Sequence, residues 1–234
     1  MSNRVIKRIF NVDIKNYTKD NLEENGIYIH FDECDITDAS ILIIGPEDTP
    51  YENGYYIFKV KFTDEYPYKP PIVKFLSNSK VRIHPNLYVN GKVCLSILGT
   101  WAGPSWTSVM DINAVAKSIQ SIMSKKAIQN EPGFSSEDGE LCQNYDRIVW
   151  FENMRSYILS MQEKQHNTFT DLIRTHFVEN IDTNRKQIKN HTRYGMPEVE
   201  LKIQPYTISL VENITNLEKL FNKIEINIKL KLYK

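Results

Sequence analysis

Four short apolar runs follow one another in the first third of the chain, and they constrain its fold more than any other feature. They read IYIHF, SILIIG, YYIFKVKF and IVKFL. Residues of the Ile, Val, Tyr and Phe type favour strands, and the alternation in IFKVKF is typical of a half-buried antiparallel strand. The connectors GPEDTPYENG and YPYKPP are rich in turn formers. The pattern therefore predicts an antiparallel meander.

A helix is predicted before the strands, from residue 3 to about residue 17. Its apolar residues recur at helical spacing and are expected to be buried; they are Val5, Ile6, Ile9 and Phe10. On the opposite side lie three basic residues, Arg4, Lys7 and Arg8. These form either a solvated face, which is the default interpretation, or a docking surface for an acidic partner.

A second helix is predicted after the strands, in TSVMDINAVAKSIQSIM. Ser108 is expected to cap it, with Asp111 three residues later completing a pair that resembles a capping box. Its expected core stripe consists of Val109, Ile112, Val115, Ala116, Ile119, Ile122 and Met123. The segment around Cys94, between the strands and this helix, has no long periodic pattern and is expected to be extended coil.

The chain changes character after about residue 136. Three amphipathic helices are predicted in LCQNYDRIVWFENMRSYILSM, FTDLIRTHFVENI and ITNLEKLFNKIEINIKLKL. They are separated by EKQHNT and NHTRYGMPEVELKIQPYT, and residues 224–233 alternate closely enough for a strand instead. The order of elements predicts an α+β fold, with a core over residues 1–136 and a mainly helical extension over residues 137–234.

The charge balance argues against two classes of partner. Lysine plus arginine equals aspartate plus glutamate, at 29 each. A net charge of zero provides no electrostatic footprint for nucleic acid or for an anionic membrane. The N-terminus lacks the apolar region of a signal peptide, and no apolar run approaches a membrane span. The expected compartment is the cytoplasm, with the nucleus as an alternative.

Three cysteines occur, and one of them differs from the others in context. Their odd number and the lack of C-x-x-C spacing argue against a disulfide scaffold and against a zinc site. Cys34 lies among acidic residues that disfavour a thiolate, and Cys142 lies on a predicted helix where it is expected to be packed. Cys94 follows the turn signal NGK. It is a candidate nucleophile, although a lone cysteine is more often a small buried hydrophobe.

Upstream of Cys94 stands the tripeptide HPN, formed by His84, Pro85 and Asn86. A cysteine with a nearby histidine invites comparison with cysteine hydrolases. That interpretation is disfavoured, because the rigid turn is typical of a structural device and no acidic residue stands out to orient the histidine. The residues alone therefore leave Cys94 as a candidate nucleophile with no obvious general base.

Six motifs, in order, resemble those of the E2 ubiquitin-conjugating enzymes. They are IIGPEDTPYENGYYIFKVKF, YPYKPPIVKF, HPN, GKVCLSIL, SWTSVMDINAV and SIQSIM. Asn86 precedes Cys94 by eight residues, which is the family's spacing. The resemblance covers roughly residues 3–134 and implies a UBC-like fold. The segments GTWAGPSW and QNEPGF depart from minimal members and are similar to the large Z-type enzymes, as is the helical extension.

The resemblance implies that Cys94 accepts ubiquitin or a ubiquitin-like modifier from an E1 as a thioester. The modifier then passes to a substrate lysine or to an E3. No metal or bound organic cofactor is implied, and ATP is consumed by the E1. The alternative is a non-catalytic scaffold that only binds ubiquitin. The catalytic interpretation requires the Cys94 sulfur to be reachable, with a trough beside it for an extended peptide end.

Other roles are implied by position in the family's motifs. Asn86 is expected to stabilise the oxyanion or to hold the loop, and His84 to order the turn. Counted without gaps from Trp106, the position opposite the cysteine falls on Asn130, followed by Glu131. An amide there orients an attacking amine and a carboxylate supplies charge, or both residues merely shape the loop.

Partner surfaces are also implied by position. Arg4, Lys7 and Arg8 fall where family members meet the E1. Tyr68, Thr107 and Ser108 fall where RING or HECT E3 ligases dock. The sequence TSV at the second E3 position, where many members have Ser-Pro-Ala, leaves the choice of E3 open.

Overall fold

The computed structural model describes residues 2–77, 79, 81–161, 168–193, 199–203, 208–212 and 214–232. Its helices are α1 (Asn3–Arg8), a π-helical stretch (Ile9–Ile14), α2 (Lys15–Asp20), α3 (Ile112–Ile122), α4 (Glu140–Ser160), α5 (Thr170–Glu179), α6 (Ile181–Arg193) and α7 (Ile214–Leu232), with short 3-10 turns at Leu22–Asn25, Ser96–Leu98 and Ala127–Asn130. Its strands are β1 (Ile27–Phe31), β2 (Asp38–Ile44), β3 (Tyr55–Lys61), β4 (Ile72–Leu76), β5 (Val199–Ile203) and β6 (Ile208–Glu212). The predicted α+β fold is confirmed.

Strands β1 to β4 form an antiparallel sheet in sequence order, which confirms the predicted meander. The pairing sets Leu42 opposite Ile57, and Phe58 opposite Phe75. Strand β2 is buried from residue 39 to residue 44 on both faces of the sheet. This double burial explains why its sequence is a continuous apolar run instead of an alternating one.

The main core lies between the inner face of the sheet and helix α3. Its most buried members include Val5, Ile9, Ile41, Ile43, Phe58, Phe62, Tyr66, Ile112, Val115 and Ile119. The stripe predicted on α3 therefore packs as expected from Ile112 onward.

The first helical segment is longer than predicted, and its middle is π-helical. It ends at Asp20 instead of Tyr17. The expected burial of Phe10 is wrong, since this side chain is 51% exposed. The buried residues of the π-helical stretch are Ile9 and Asp13.

Helix α3 begins later than predicted, and the expected cap at Ser108 is wrong. Asp111 is the cap: its Oδ1 accepts the backbone N–H of Ala114 at 3.0 Å. Residues Thr107 to Met110 form a separate turn, closed by a 3.0 Å bond between their backbones. Val109 lies in that turn and is 82% exposed, so its predicted place in the core is wrong as well.

The extension begins with helix α4, whose first half belongs to the main core. Cys142, Tyr145, Ile148 and Val149 are buried in the same cluster as the sheet residues, and the expected packing of Cys142 is confirmed. The boundary between residues 136 and 137 stays a prediction.

The remaining extension differs from its prediction in three places. The second predicted helix, residues 169–181, corresponds to α5, and a further helix, α6 (Ile181–Arg193), includes residues 182–193, which were not predicted as helical. Strand β5 lies within the stretch predicted as a connector, and it pairs with β6, which lies between that connector and the last predicted helix. Helix α7 continues to Leu232, so the alternative of a strand from residue 224 is wrong over residues 224–232. The predicted connectors at residues 163–167, 194–198 and 204–207 lie outside the described residues.

Helix α5 lies over the outer face of the sheet. Phe169 and Ile173 pack against Leu42 of β2. The hydroxyl of Tyr55, on β3, donates to the backbone carbonyl of Ile173 at 3.1 Å. The extension thus covers part of the sheet face that points away from α3.

Candidate active site at Cys94

The segment that carries Cys94 is hydrogen-bonded to the edge of the sheet. The N–H of Phe75 in β4 donates to the carbonyl of Gly91 at 2.8 Å, and Lys74 bridges to Lys92. Gly91 has a left-handed φ of 93°, and a Cβ there would lie 2.9 Å from the Phe75 carbonyl oxygen. Only glycine fits this approach without displacement of the strand. The turn signal NGK therefore fixes the position of the chain just before Cys94.

The HPN tripeptide forms a buried turn in which His84 is an acceptor. Its Nδ1 accepts the backbone N–H of Asn86 at 2.9 Å, and its carbonyl accepts the N–H of Leu87 at 3.0 Å. Burial lowers the pKa of His84 to about 3. The ring is therefore neutral at physiological pH, and one nitrogen is already occupied in the turn. This geometry matches the turn-ordering role expected for His84.

Asn86 and Cys94 are joined by two reciprocal hydrogen bonds. The side-chain Nδ2 of Asn86 donates to the Cys94 carbonyl at 2.6 Å, and the Cys94 N–H donates to the Asn86 carbonyl at 2.9 Å. The Asn86 side chain is buried, and its Oδ1 has no hydrogen-bond partner among the described residues. In this conformation the amide holds the loop, which is one of the two roles expected for it.

The expectation that the Cys94 sulfur is reachable is wrong for this conformation. The residue is 1% exposed and lies between buried Val93 and Leu95. A groove of about 570 Å³ lies beside the segment and is lined in part by Val93, Leu98, Thr100 and Trp106. Cys94 is not among the residues that line this groove, so the expected trough beside the sulfur stays a prediction. Acyl transfer at this sulfur requires a local rearrangement that uncovers it.

Asn130 and Glu131 lie at the end of the 3-10 turn that follows α3. The side chain of Asn130 donates to the Ala127 carbonyl at 3.1 Å, within its own turn. Glu131 lies 3.8 Å from the guanidinium of Arg82. That guanidinium also donates to the carbonyl of Pro85 in the HPN turn. The structure therefore connects Glu131 to the HPN turn through Arg82, a residue that the sequence interpretation had not selected.

The side chains predicted to meet partners divide into two groups. Arg4 and Lys7 are exposed, and the guanidinium of Arg4 lies 4.8 Å from the ring centroid of Tyr68. Thr107 and Ser108 are exposed, as is Tyr68. Arg8 is half-buried instead, and it donates to the carbonyl of Met110 at 2.7 Å. Arg8 thus contributes to packing between the first helical segment and the turn before α3.

Asp13 is a buried carboxylate that lies behind these surfaces. Its Oδ1 accepts the Tyr66 hydroxyl at 2.5 Å and the N–H of Ile112 at 3.0 Å. Burial raises its pKa to about 6, although both hydrogen bonds act in the opposite direction. The spacing of Val5, Ile9 and Asp13 places residue 13 on the apolar side of the helix, although the sequence interpretation did not select it.

Neither a cluster of metal-ligating side chains nor a membrane-spanning helix occurs in the part of the chain that the structure describes. Within it, no three His, Cys, Asp or Glu side chains come together in a way that would hold a metal ion. Among the helices described, none combines the length and apolar character needed to cross a bilayer.

Known proteins match most of this region. The family model described as ubiquitin-conjugating enzyme matches residues 10–156. The chain is 44% identical over 142 residues to ubiquitin-conjugating enzyme E2 Z of Homo sapiens. The aligned region covers 59% of this chain and 40% of that protein. It is 37% identical over 163 residues to the probable ubiquitin-conjugating enzyme protein 17 of Caenorhabditis elegans, covering 65% of this chain and 22% of that protein.

A viral protein is also similar. Identity to the probable ubiquitin-conjugating enzyme E2 R521 of Acanthamoeba polyphaga mimivirus is 35% over 165 residues, which covers 65% of this chain and 12% of that protein. The chain thus spans well under half the length of these relatives. The family model nevertheless matches more than half of the chain and includes the HPN turn and Cys94. The chain belongs to the ubiquitin-conjugating enzyme family.

Proposed function

We propose that this chain is an active E2 that carries ubiquitin or a ubiquitin-like modifier as a thioester on Cys94. The thiolate of Cys94 attacks the carbonyl carbon of the E1-bound modifier, and the E1 thiolate leaves. A lysine amine or an E3 cysteine then attacks the new thioester, and the Cys94 thiolate leaves. The observation that carries the proposal is the reciprocal pair of hydrogen bonds between Asn86 and Cys94 at the HPN turn.

The second step needs an oxyanion donor and an amine without its extra proton. The neutral amide of Asn86, which donates to the Cys94 carbonyl in the resting structure, is the proposed donor. Removal of one such donor typically slows acyl transfer about 10²–10³-fold. Asn130 orients the amine, and the Glu131 carboxylate accepts the extra proton as a general base, which leaves the amine neutral for attack.

The partners follow from the same function. Arg4 and Lys7 are proposed to meet the E1, with Arg8 behind them, and Tyr68, Thr107 and Ser108 to meet an E3. Protein substrates supply the lysine. We propose no bound metal or organic cofactor, because the E1 consumes the ATP, and we propose no nucleic acid or membrane partner. The cytoplasm is the proposed compartment, with the nucleus as the alternative.

A charging assay tests the proposal. The chain is mixed with an E1, ATP and a modifier, across several E1–modifier pairs, and run on a non-reducing gel. A thiol-sensitive adduct is expected, and it disappears in Cys94→Ala. The matched control is Cys34→Ala, which removes an exposed thiol and retains the adduct.

The 1% exposure of Cys94 favours one alternative, a scaffold that binds ubiquitin without becoming charged. The scaffold predicts that no E1–modifier pair yields an adduct, while ubiquitin still binds to Cys94→Ala without a covalent bond. Titration of labelled ubiquitin with that variant, followed by NMR, distinguishes the two functions when charging fails.

A further inference from the structure

The guanidinium of Arg82 joins three parts of the loop region around the thiol. It donates to the carbonyl of Pro85, the residue immediately before Asn86. It lies 3.7 Å from the ring centroid of Tyr88, which places a cation on the face of an aromatic ring. It also lies 3.8 Å from the carboxylate of Glu131. We call these contacts of Arg82 with Pro85, Tyr88 and Glu131 the Arg82 bridge.

The backbone that carries Arg82 is held from behind by helix α4. The hydroxyl of Tyr145 donates to the Arg82 carbonyl at 2.8 Å. Three residues earlier, the Ser79 hydroxyl donates to buried Glu152 at 2.7 Å and accepts the N–H of Val81 at 3.1 Å. Two side chains of the extension therefore fix the segment from which the bridge is made.

The bridge acts on the turn that is locked to the thiol residue. Asn86 and Cys94 hold each other by two hydrogen bonds, and Cys94 is 1% exposed. The sulfur can become accessible only if its surroundings move. A bridge that ties the HPN turn to the Glu131 loop opposes such movement, since it must break when the two loops separate.

We propose that Arg82 is a positioning residue of the thiol site, whose bridge between the HPN turn and Glu131 keeps the Cys94 sulfur covered until the tail of a modifier displaces it. The second half of this statement rests on the proposed E2 function, whereas the first half concerns the free protein alone. Displacement frees the Glu131 carboxylate from the guanidinium at the moment when an acyl group arrives. Breaking the Arg82 bridge therefore exposes the Cys94 thiol and releases the Glu131 carboxylate at the same time.

Alkylation of the free protein by iodoacetamide tests the covering role without any E1 or modifier. The background carries Cys34→Ser, so that the exposed thiol is absent, and mass spectrometry follows modification of Cys94 apart from buried Cys142. We expect Arg82→Ala to react at least about 10-fold faster at Cys94, because local opening controls reagent access and the variant loses both its ion pair and its cation–π contact. We expect Arg82→Lys to react at an intermediate rate, because lysine keeps the charge without the planar fork.

The matched control is Arg174→Ala, which removes a guanidinium that pairs with Asp171 on helix α5. It should react at the rate of the background protein. Glu131→Gln reaches the same bridge from the other side with little change of shape, and it should also accelerate alkylation. If Arg82→Ala unfolds at a lower temperature than the background protein, Glu131→Gln provides the test of the bridge instead.

Equal alkylation rates in Arg82→Ala, Glu131→Gln and Arg174→Ala would overturn the proposal. A charging assay on the same proteins separates its failure from that of the E2 function. Faster alkylation without charging by any E1 supports the covering role and contradicts the E2 proposal. Charging with unchanged alkylation supports the E2 proposal and contradicts the covering role.

Discussion

Asn86 has two available roles, and the structure captures the one in which its amide bonds to the backbone of Cys94. A donor that holds a loop in the resting state can also point at an oxyanion once the loop has moved. The two roles differ in what they do to the two half-reactions. Holding the loop affects charging and discharge alike. Stabilising the oxyanion affects mainly discharge onto free lysine, because that amine is not positioned by an enzyme-bound partner.

For Asn86→Ala we expect charging to proceed at close to the wild-type rate, and discharge onto free lysine to slow about 10²–10³-fold. Single-turnover discharge of purified thioester measures the second step. Asn25→Ala is the control, since Asn25 is exposed at the end of the 3-10 turn before β1. Equal loss of both steps would instead assign Asn86 a purely structural role.

His84 makes the fold sensitive to acid. Its pKa lies near 3 in the folded chain, below the ordinary value of 6.5, because it is buried. Between these values the unfolded chain binds a proton that the folded chain does not, so stability falls as pH decreases. Relative to His84→Asn, the wild type should lose about 2 kcal/mol of unfolding free energy between pH 7 and pH 5. Urea denaturation of both proteins checks this, and a difference that does not vary with pH would contradict it.

At the scale of elements, the π-helical stretch joins the first helix to the two loops proposed to bind an E3. Asp13 within it bonds to Tyr66, two residues before Tyr68, and to Ile112 at the start of α3. The groups that act on its charge are Tyr66, Arg8 and Asp111. A single buried carboxylate therefore connects three elements that the sequence treats as separate.

Asp13 gives a dependence on pH of the opposite sign to that of His84. Its pKa is raised to about 6 from 3.8, so the folded chain holds a proton that the unfolded chain has lost between those values. Its contribution is largest below pH 3.8 and is lost as pH rises through 6. Relative to Asp13→Asn, the wild type should gain about 2 kcal/mol of unfolding free energy when pH falls from 7.5 to 4.5. Denaturant melts of the pair measure the difference, and a gain at high pH would refute the assignment.

The elements that were predicted correctly are those in which packing against one neighbouring element separates apolar from polar side chains. The meander and the stripe of α3 from Ile112 onward follow directly from apolar periodicity. The start of α3 was misplaced because Ser108 and Asp111 both suit a cap, and only the turn at Met110 decides between them. Burial of Phe10 was misjudged because periodicity assumes a regular helix. The β5–β6 hairpin was missed because each strand has only five residues between longer helical patterns, although VELKI alternates apolar and charged residues.

Local sequence patterns identified only part of the candidate site. Motif spacing identified Cys94, His84 and Asn86, and the structure brings these three together. Arg82 was missed because its importance depends on contacts with Tyr88 and Glu131, which no local pattern encodes. The burial of Cys94 likewise depends on tertiary packing. The assignment of a nucleophile from sequence assumes that the thiol is accessible.

At the scale of the molecule, the extension is part of what holds the fold together. Tyr145, Ile148 and Val149 are fully buried in the main core, and Phe169 and Ile173 cover the outer face of the sheet. Full burial of such a side chain contributes about 1.5–3 kcal/mol. Three of them are together comparable with the 5–15 kcal/mol that typically separates the folded from the unfolded state of a domain.

We therefore expect a chain that ends at residue 136 to lose cooperative unfolding or to become insoluble. A chain that ends at residue 161 retains helix α4 and should keep a cooperative transition, at a lower temperature than the full chain because α5 no longer covers Leu42. Thermal melts followed by circular dichroism compare the three lengths. A cooperative transition of the shortest chain at the temperature of the full chain would show that residues 1–136 fold without the extension.

The pairing of Gly91 with Phe75 has a consequence beyond the placement of the thiol. Strand β4 is the last strand of its sheet, and an open strand border is where chains tend to join into aggregates. The loop before Cys94 covers part of this edge strand, and we expect it to limit self-association. We expect changes that detach this loop from β4 to make the protein more prone to aggregation.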